Sequence, residues 1–300
     1  MFDSFEPFAI LTQSSPEVII RGLTSGSASS PLPPLLLLHG FPQTLHIWHL
    51  VAPELLDKYT VVLMDIRGYG ESSKPDALSN YAKSSMARDC IAVMDKLGFT
   101  SSFFVCAHDR GARVTHKLCV DHPDRVRKAI LLDISPTLHM YSTTNFEFAK
   151  AYFHWFFLIQ PEPFPETFIA AEPSTFARVC LGARVEDGAE LYRKECYDAY
   201  LRNLSDPATI HAMCHDYRAG ATLDLDEAKD DLANGRLVKC PLLVLWAKHG
   251  VIERCFDPVK EWRAVTQEGV PVEGYSVDSD HYLPEHAPED VVSAIVKFLQ

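Results

Sequence analysis

An α/β fold with a mostly parallel sheet is predicted by three observations: short unbroken apolar runs, helix-patterned segments between them, and one long interruption of that alternation. The runs are Leu35–Leu38 (LLLL), Val61–Met64 (VVLM), Phe103–Cys106 (FFVC), Ala129–Leu132 (AILL) and Leu242–Leu245 (LLVL). Apolar residues in continuous rather than alternating order belong to strands covered on both faces, which is how parallel sheets are built. Between them, Ser84–Leu97 (SSMARDCIAVMDKL) sets Met86, Cys90, Val93, Met94 and Leu97 on one side of a helix that Gly98 stops. The segment after Asp109 is helix-like to about Asp121, where His122 and Pro123 end it. A last helix begins near Pro288.

The alternation fails after Ile134. Residues 138–225 contain no further four-residue strand run but carry aromatic and helix-like charge patterns, as in FEFAKAYFHWFFLI (Phe146–Ile159) and YRKECYDAYLRNL (Tyr192–Leu204). This predicts an inserted helical cap at 138–225 between a first core part at 1–137 and a second at 226–300.

Composition narrows the function classes. The chain has 300 residues, of which 47% are hydrophobic and 23% charged, enough to bury one large core with an insert. Twenty-eight basic against 40 acidic residues give a formal charge of -12 with no basic block, so nucleic acid and anionic membranes are poor partners. MFDSFEPFAI lacks the basic start and apolar run of a signal peptide, and no apolar stretch approaches about 18 residues, which reads as a cytoplasmic protein. The eight cysteines are scattered without a CxxC pair, as buried thiols in a reducing compartment would be.

The chemistry concentrates where strands end. Asp109 follows FFVCAH directly, and AHDRGAR has the small-x-nucleophile-x-Gly frame of a nucleophile elbow, with Asp in the position serine hydrolases give to Ser. Helix capping is the plain alternative. Arg110 and Arg113 flank this carboxylate. With one internal anion obvious, two guanidinium groups suggest a second carboxylate as guest, gripped by paired bonds; ion pairs to Asp65 or to acids of the cap are the competing reading. In LLLLHGFPQT the backbone N–H of Phe41 can face a developing oxyanion opposite the N–H of Arg110. Asp65 and Arg67 in DIRGYG read as supports of a loop. Late in the chain, His281 in DSDHYLPEHAP is a base with a suitable unperturbed pKa. Its orienting acid is expected to be Asp133 at the end of AILLD, with Glu253 and Asp257 as weaker substitutes.

The order HGFP, DIRGYGES, AHDRGAR, LLDISPT and SDHYLPEHAP resembles the α/β-hydrolase fold over almost the whole chain, and specifically the fluoroacetate (haloacetate) dehalogenases. Ala107 stands where the superfamily often has glycine, a small-for-small change. The resemblance implies Asp109 as nucleophile, Asp133 and His281 as its partners, and Arg110 with Arg113 around a substrate carboxylate. It also implies a halide pocket from His154, Trp155 and Tyr217, a substrate contact from Tyr141, and a homodimer. Imidazole, indole and phenol are donors suited to a leaving halide, although an aromatic cap stripe alone reads as packing. An Asp nucleophile suits attack on sp3 carbon, because the product is an ester that water can cleave, whereas Ser would leave an ether. The expected reaction is hydrolysis of a small anionic haloacid without cofactor or metal. An epoxide hydrolase with the same Asp and His is the alternative, along with haloalkane dehalogenase chemistry or a noncatalytic receptor for a small acid; for a neutral substrate the two buried arginines are awkward.

Overall fold

The structure is a computed structural model and describes residues 1–182 and 192–300. Eight strands form one sheet in the order β1-β2-β4-β3-β5-β6-β7-β8. β1 (Glu6–Ser14) and β2 (Glu17–Thr24) are antiparallel to each other, and β2 is antiparallel to β4 (Thr60–Met64). From β4 onward, β3 (Pro34–Leu38), β5 (Phe103–His108), β6 (Val126–Leu132), β7 (Leu242–Ala247) and β8 (Val272–Val277) run parallel. All five predicted runs are strands. Their unbroken hydrophobicity has a simple cause: Leu36, Leu38, Val62, Met64 and Val105 pack on one face, while Leu35, Leu37, Val61, Leu63, Phe104 and Cys106 pack on the other.

Helices α1 (Lys83–Lys96) and α2 (Asp109–Asp121) lie between the parallel strands as expected. Between β6 and β7 the elements among the described residues are helices: α3 (Thr137–Ser142), α4 (Phe146–Ala151), α5 (Phe153–Phe157), α6 (Phe164–Ala171), α7 (Pro173–Cys180), α8 (Lys194–Ser205), α9 (Pro207–Gly220) and α10 (Leu223–Ala233). This is a central sheet flanked by helices with an inserted helical cap. Residue 225, the expected end of the cap, falls inside α10. The Phe-rich segment is two short helices rather than one, with the break at Tyr152. After β7 come α11 (Val251–Cys255) and α12 (Pro258–Arg263), and after β8 come α13 (Leu283–His286) and α14 (Pro288–Leu299).

Asp65 and Arg67 support the loop after β4. Asp65 accepts the N–H groups of Leu45 (2.8 Å) and Glu71 (3.0 Å). Arg67 grips Asp89 of α1 through two bonds, Nε–Oδ2 at 2.8 Å and Nη2–Oδ1 at 2.7 Å, both side chains being buried. Removing one partner strands the other charge out of water. Arg67→Met is therefore expected to lower unfolding free energy by about 3–5 kcal/mol in urea titrations, with a smaller loss in a variant that also makes Asp89 apolar.

Candidate active site

The carboxyl edge of the sheet gathers the candidate residues because each follows a strand: Phe41 after β3, Asp109 after β5, Asp133 after β6 and His281 after β8. β5 passes into α2 without a loop, and Asp109 turns the corner with φ +43°, a left-handed conformation costly for a residue with a Cβ. The turn is tight enough to require two glycines. A Cβ on Gly111 would sit 2.3 Å from the His39 carbonyl oxygen, and one on Gly40 would sit 2.6 Å from Asp109 Cβ. With these approaches allowed, the Phe41 N–H donates to Asp109 Oδ1 at 3.0 Å.

Asp133, also left-handed at φ +52°, accepts the Ala247 N–H on Oδ1 (2.8 Å), and its Oδ2 lies 2.6 Å from His281 Nδ1. A carboxylate accepts, so Nδ1 carries the proton and Nε2 keeps its lone pair for a substrate or water. The substitutes are engaged elsewhere: Glu253 accepts from the Trp246 indole, and Asp257 caps α12 through Lys260 N–H at 3.3 Å. His108 Nε2 donates to the His281 carbonyl at 2.8 Å, and burial keeps His108 neutral, its pKa pushed down to about 3. The Tyr152 hydroxyl stands 3.5 Å from His281 Nδ1. His108 binds the backbone of the base and Tyr152 packs edge-on against its ring; neither was singled out in the sequence.

Electrostatics separate the two reacting groups. Burial alone would raise Asp109, but the charges of His281, Arg113 and Arg110 outweigh it and hold the carboxyl below its ordinary value. For His281, burial works against the imidazolium, yet the bond and charge of Asp133 with the charge of Asp109 raise its pKa.

The arginines differ from each other. Arg110 is held by Asp216 of α9: Nε donates to Oδ2 at 2.7 Å, and Nη2 to Oδ1 at 2.9 Å and to the Asp216 carbonyl at 2.6 Å. The premise of a single internal anion is thus corrected; the cap supplies a second, 106 positions along the chain. Asp216 also binds Lys83 and accepts from the Tyr69 hydroxyl at 2.8 Å. Arg113 has no carboxylate partner among the described residues and donates to the Ser135 carbonyl (3.2 Å) and Thr137 Oγ1 (2.8 Å). The two guanidinium groups lie against aromatic rings, Arg110 4.3 Å from the Tyr217 centroid and Arg113 4.6 Å from that of Trp155.

A cavity of about 100 Å³ opens over the turn, and Phe41, Asp109, Tyr152, His154, Tyr217 and His281 are among the residues lining it. Arg110, Arg113, Trp155 and Tyr141 do not line it and stand behind it: Trp155 packs 6.3 Å from Tyr217 and 5.0 Å from Tyr141 between ring centroids. His154 stacks on Phe41 and is kept neutral by burial, which pushes it down to about 3. Five buried donors around this cluster meet no acceptor: Arg110 Nη1, Arg113 Nε, the Tyr141 and Tyr217 hydroxyls, and Trp155 Nε1. Buried donors are ordinarily paired.

The family description "alpha/beta hydrolase fold" matches residues 33–267. A fluoroacetate dehalogenase from Burkholderia sp is 39% identical over 302 residues, covering 100% of this chain and 95% of its own. A soluble epoxide hydrolase from Corynebacterium sp. (strain C12) is 28% identical over 88% of this chain and 89% of its own. Among solved structures, one named as an α/β hydrolase from Nostoc sp PCC 7120 superposes with a TM-score of 0.91 at 46% identity, covering 100% of this chain and 99% of that one. The arrangement is capable of nucleophilic attack by an aspartate and base activation by a histidine, chemistry common to dehalogenases and epoxide hydrolases. The chain belongs to the α/β-hydrolase family, and within it is related to both fluoroacetate dehalogenases and epoxide hydrolases.

Proposed function

We propose that the protein hydrolyses 2-haloacetates, fluoroacetate to glycolate and fluoride among them, through an ester on Asp109. The observation that carries this reading is the set of five unpartnered buried donors. An epoxide oxygen has two lone pairs and would answer two of them. A carboxylate and a halide, both pure acceptors, offer partners for more of the set: Tyr217 lines the cavity, and the other four donors stand directly behind its wall. The cavity is also small, about 100 Å³ against the roughly 150 Å³ of a cavity that takes up benzene, which favours a guest of a few heavy atoms.

In this mechanism the cavity opens inward as substrate binds, so that Arg113 and the free Nη1 of Arg110 take the substrate carboxylate, with Tyr141 as a further contact, and the α-carbon is aligned between Asp109 and the donors of His154, Trp155 and Tyr217. Asp109 Oδ2 forms the C–O bond as the halide leaves with the C–X electron pair. His281 Nε2 then takes a proton from water as the water oxygen adds to the Asp109 carbonyl carbon. Charge develops on Oδ1, where the N–H groups of Phe41 and Arg110 stabilise it. Collapse breaks the bond to the substrate oxygen, His281 returns the proton to it, and glycolate leaves with an oxygen that came from Asp109.

Epoxide hydrolysis is the second reading, and a specific observation favours it. Asp216 already neutralises Arg110, so one of the two arginines no longer argues against a neutral substrate, and the Tyr141 and Tyr217 hydroxyls are free to donate to an epoxide oxygen. Relatives named as epoxide hydrolases point the same way. Purified protein given fluoroacetate, chloroacetate and an aliphatic epoxide separately decides between them. Halide released in equal amount to glycolate supports the proposal, while diol without halide replaces it with the alternative.

Two further outcomes are expected. Arg113→Met should raise KM for chloroacetate by about 10- to 100-fold, the loss of a charged hydrogen bond worth about 1.5–3 kcal/mol, while leaving epoxide turnover nearly unchanged. Arg110→Met is the poorer probe because it strands Asp216. Ester hydrolysis requires neutral His281, whose pKa is raised, so its single-turnover rate should climb with pH through a value above about 6.5. Asp133→Asn removes the partner that raises it, so this limb should move to lower pH as the rate falls.

A further inference from the structure

A second cluster of ligating side chains stands outside the cavity, where α9 meets the connection between α5 and α6. His211 and His215 are four residues apart on α9 and so share a face, with ring centroids 4.2 Å apart. Glu162 of the connection sets Oε1 3.5 Å from His211 Nδ1. One ligand atom from each of the three lies within 4.8 Å of the other two. Two imidazoles and a carboxylate suit a first-row divalent ion such as Zn2+.

The surroundings prepare the same role. His211 Nε2 stands 3.4 Å from the Asp76 carbonyl, and in the tautomer that donates there Nδ1 is left to face Glu162 and an ion. A ligating histidine is oriented by such a bond from its other nitrogen. His215 Nδ1 accepts from Arg218 Nη1 at 3.2 Å. Arg218 also binds Glu166 (2.6 Å) and the Gln160 carbonyl (2.9 and 2.7 Å), so it stays anchored if an ion takes its place at His215.

We propose that Glu162, His211 and His215 bind a divalent transition ion that cross-links the α5–α6 connection to α9. α5 carries His154 and Trp155, and His215 is followed directly by Asp216 and Tyr217. The ion would therefore fasten together two walls of the cavity from outside, whichever substrate that cavity takes.

The test is calorimetric titration of the chelator-treated full chain with Zn2+ alone, for the unmodified protein and for H211Q, H215Q and C196S. C196S probes a buried trio, His49, Cys196 and Glu285, which is the competing place for the ion. One stoichiometric site, weakened at least ~10-fold in H211Q and in H215Q and unchanged in C196S, is the expected result. Zn2+ should also raise the melting temperature of the unmodified protein and of C196S but not of the two histidine variants, whose metal-free melting and circular dichroism verify their folding. Affinity unaffected by either histidine, weakening in C196S alone, or no stoichiometric site would each overturn the proposal.

Discussion

The buried ion pair between Arg110 and Asp216 joins the nucleophile turn to the cap, and the site takes its form from that junction. Arg110 follows Asp109 directly, so its guanidinium group leaves the turn at a fixed place. Sealed from water, it needs an anion with matching geometry, and Asp216 provides two parallel bonds and a backbone carbonyl. Because Arg110 must meet Asp216, α9 is drawn over the turn and Tyr217 is laid across the guanidinium face. Lys83 reaches Asp216 from α1, so the same carboxylate also ties the cap to a core helix. Its pKa is kept far below the carboxylate range: burial opposes this, and the charges of Arg110 and Lys83 prevail.

That arrangement divides labour between two neighbouring arginines. Arg110 is largely spent on the architecture and keeps only Nη1 free, while Arg113 retains a charge without a carboxylate partner among the described residues. Under the proposed function the division bears on which substrate the site tolerates. An anionic guest 4 Å from an ionised Asp109 is repelled by about 4 kcal/mol at an effective dielectric constant of 20. A guanidinium at similar distance cancels a penalty of that size, and a neutral epoxide incurs none. In the proposed haloacetate reaction Arg113 supplies that cancellation, which epoxide opening does not call for. The acid and base are separated by the same charges, since the groups that hold Asp109 ionised include the histidine whose pKa Asp109 helps to raise.

The parallel centre of the fold was legible because burial on both faces leaves unbroken apolar runs. β1, β2 and β8 left no such trace: EPFAILTQS, EVIIRGLT and VEGYSV lie where one face or one end meets solvent, and their exposed positions interrupt the pattern. Candidate residues were legible for a related reason. Asp109, Asp133, Phe41 and His281 each lie within a few positions of a strand end, and strand ends converge in a parallel sheet. Asp216 could not be placed that way. It is an acid in a helix, and only the docking of α9 brings it to Arg110, although an ionisable residue beside Tyr217 in CHDYRAG was a signal that burial would need a partner. The break at Tyr152 was hidden because FEFAKAYFHWFF keeps helical composition on both sides of it.

The central claim is that Asp109 becomes esterified by a haloacetate. It is tested most directly by mixing a His281→Gln variant with chloroacetate, quenching, and mapping peptides by mass spectrometry. With the base removed, a glycolyl adduct is predicted to accumulate on the peptide carrying Asp109 and to be missing when Asp109→Asn is added. An unmodified Asp109 peptide after chloride has been released would contradict the account.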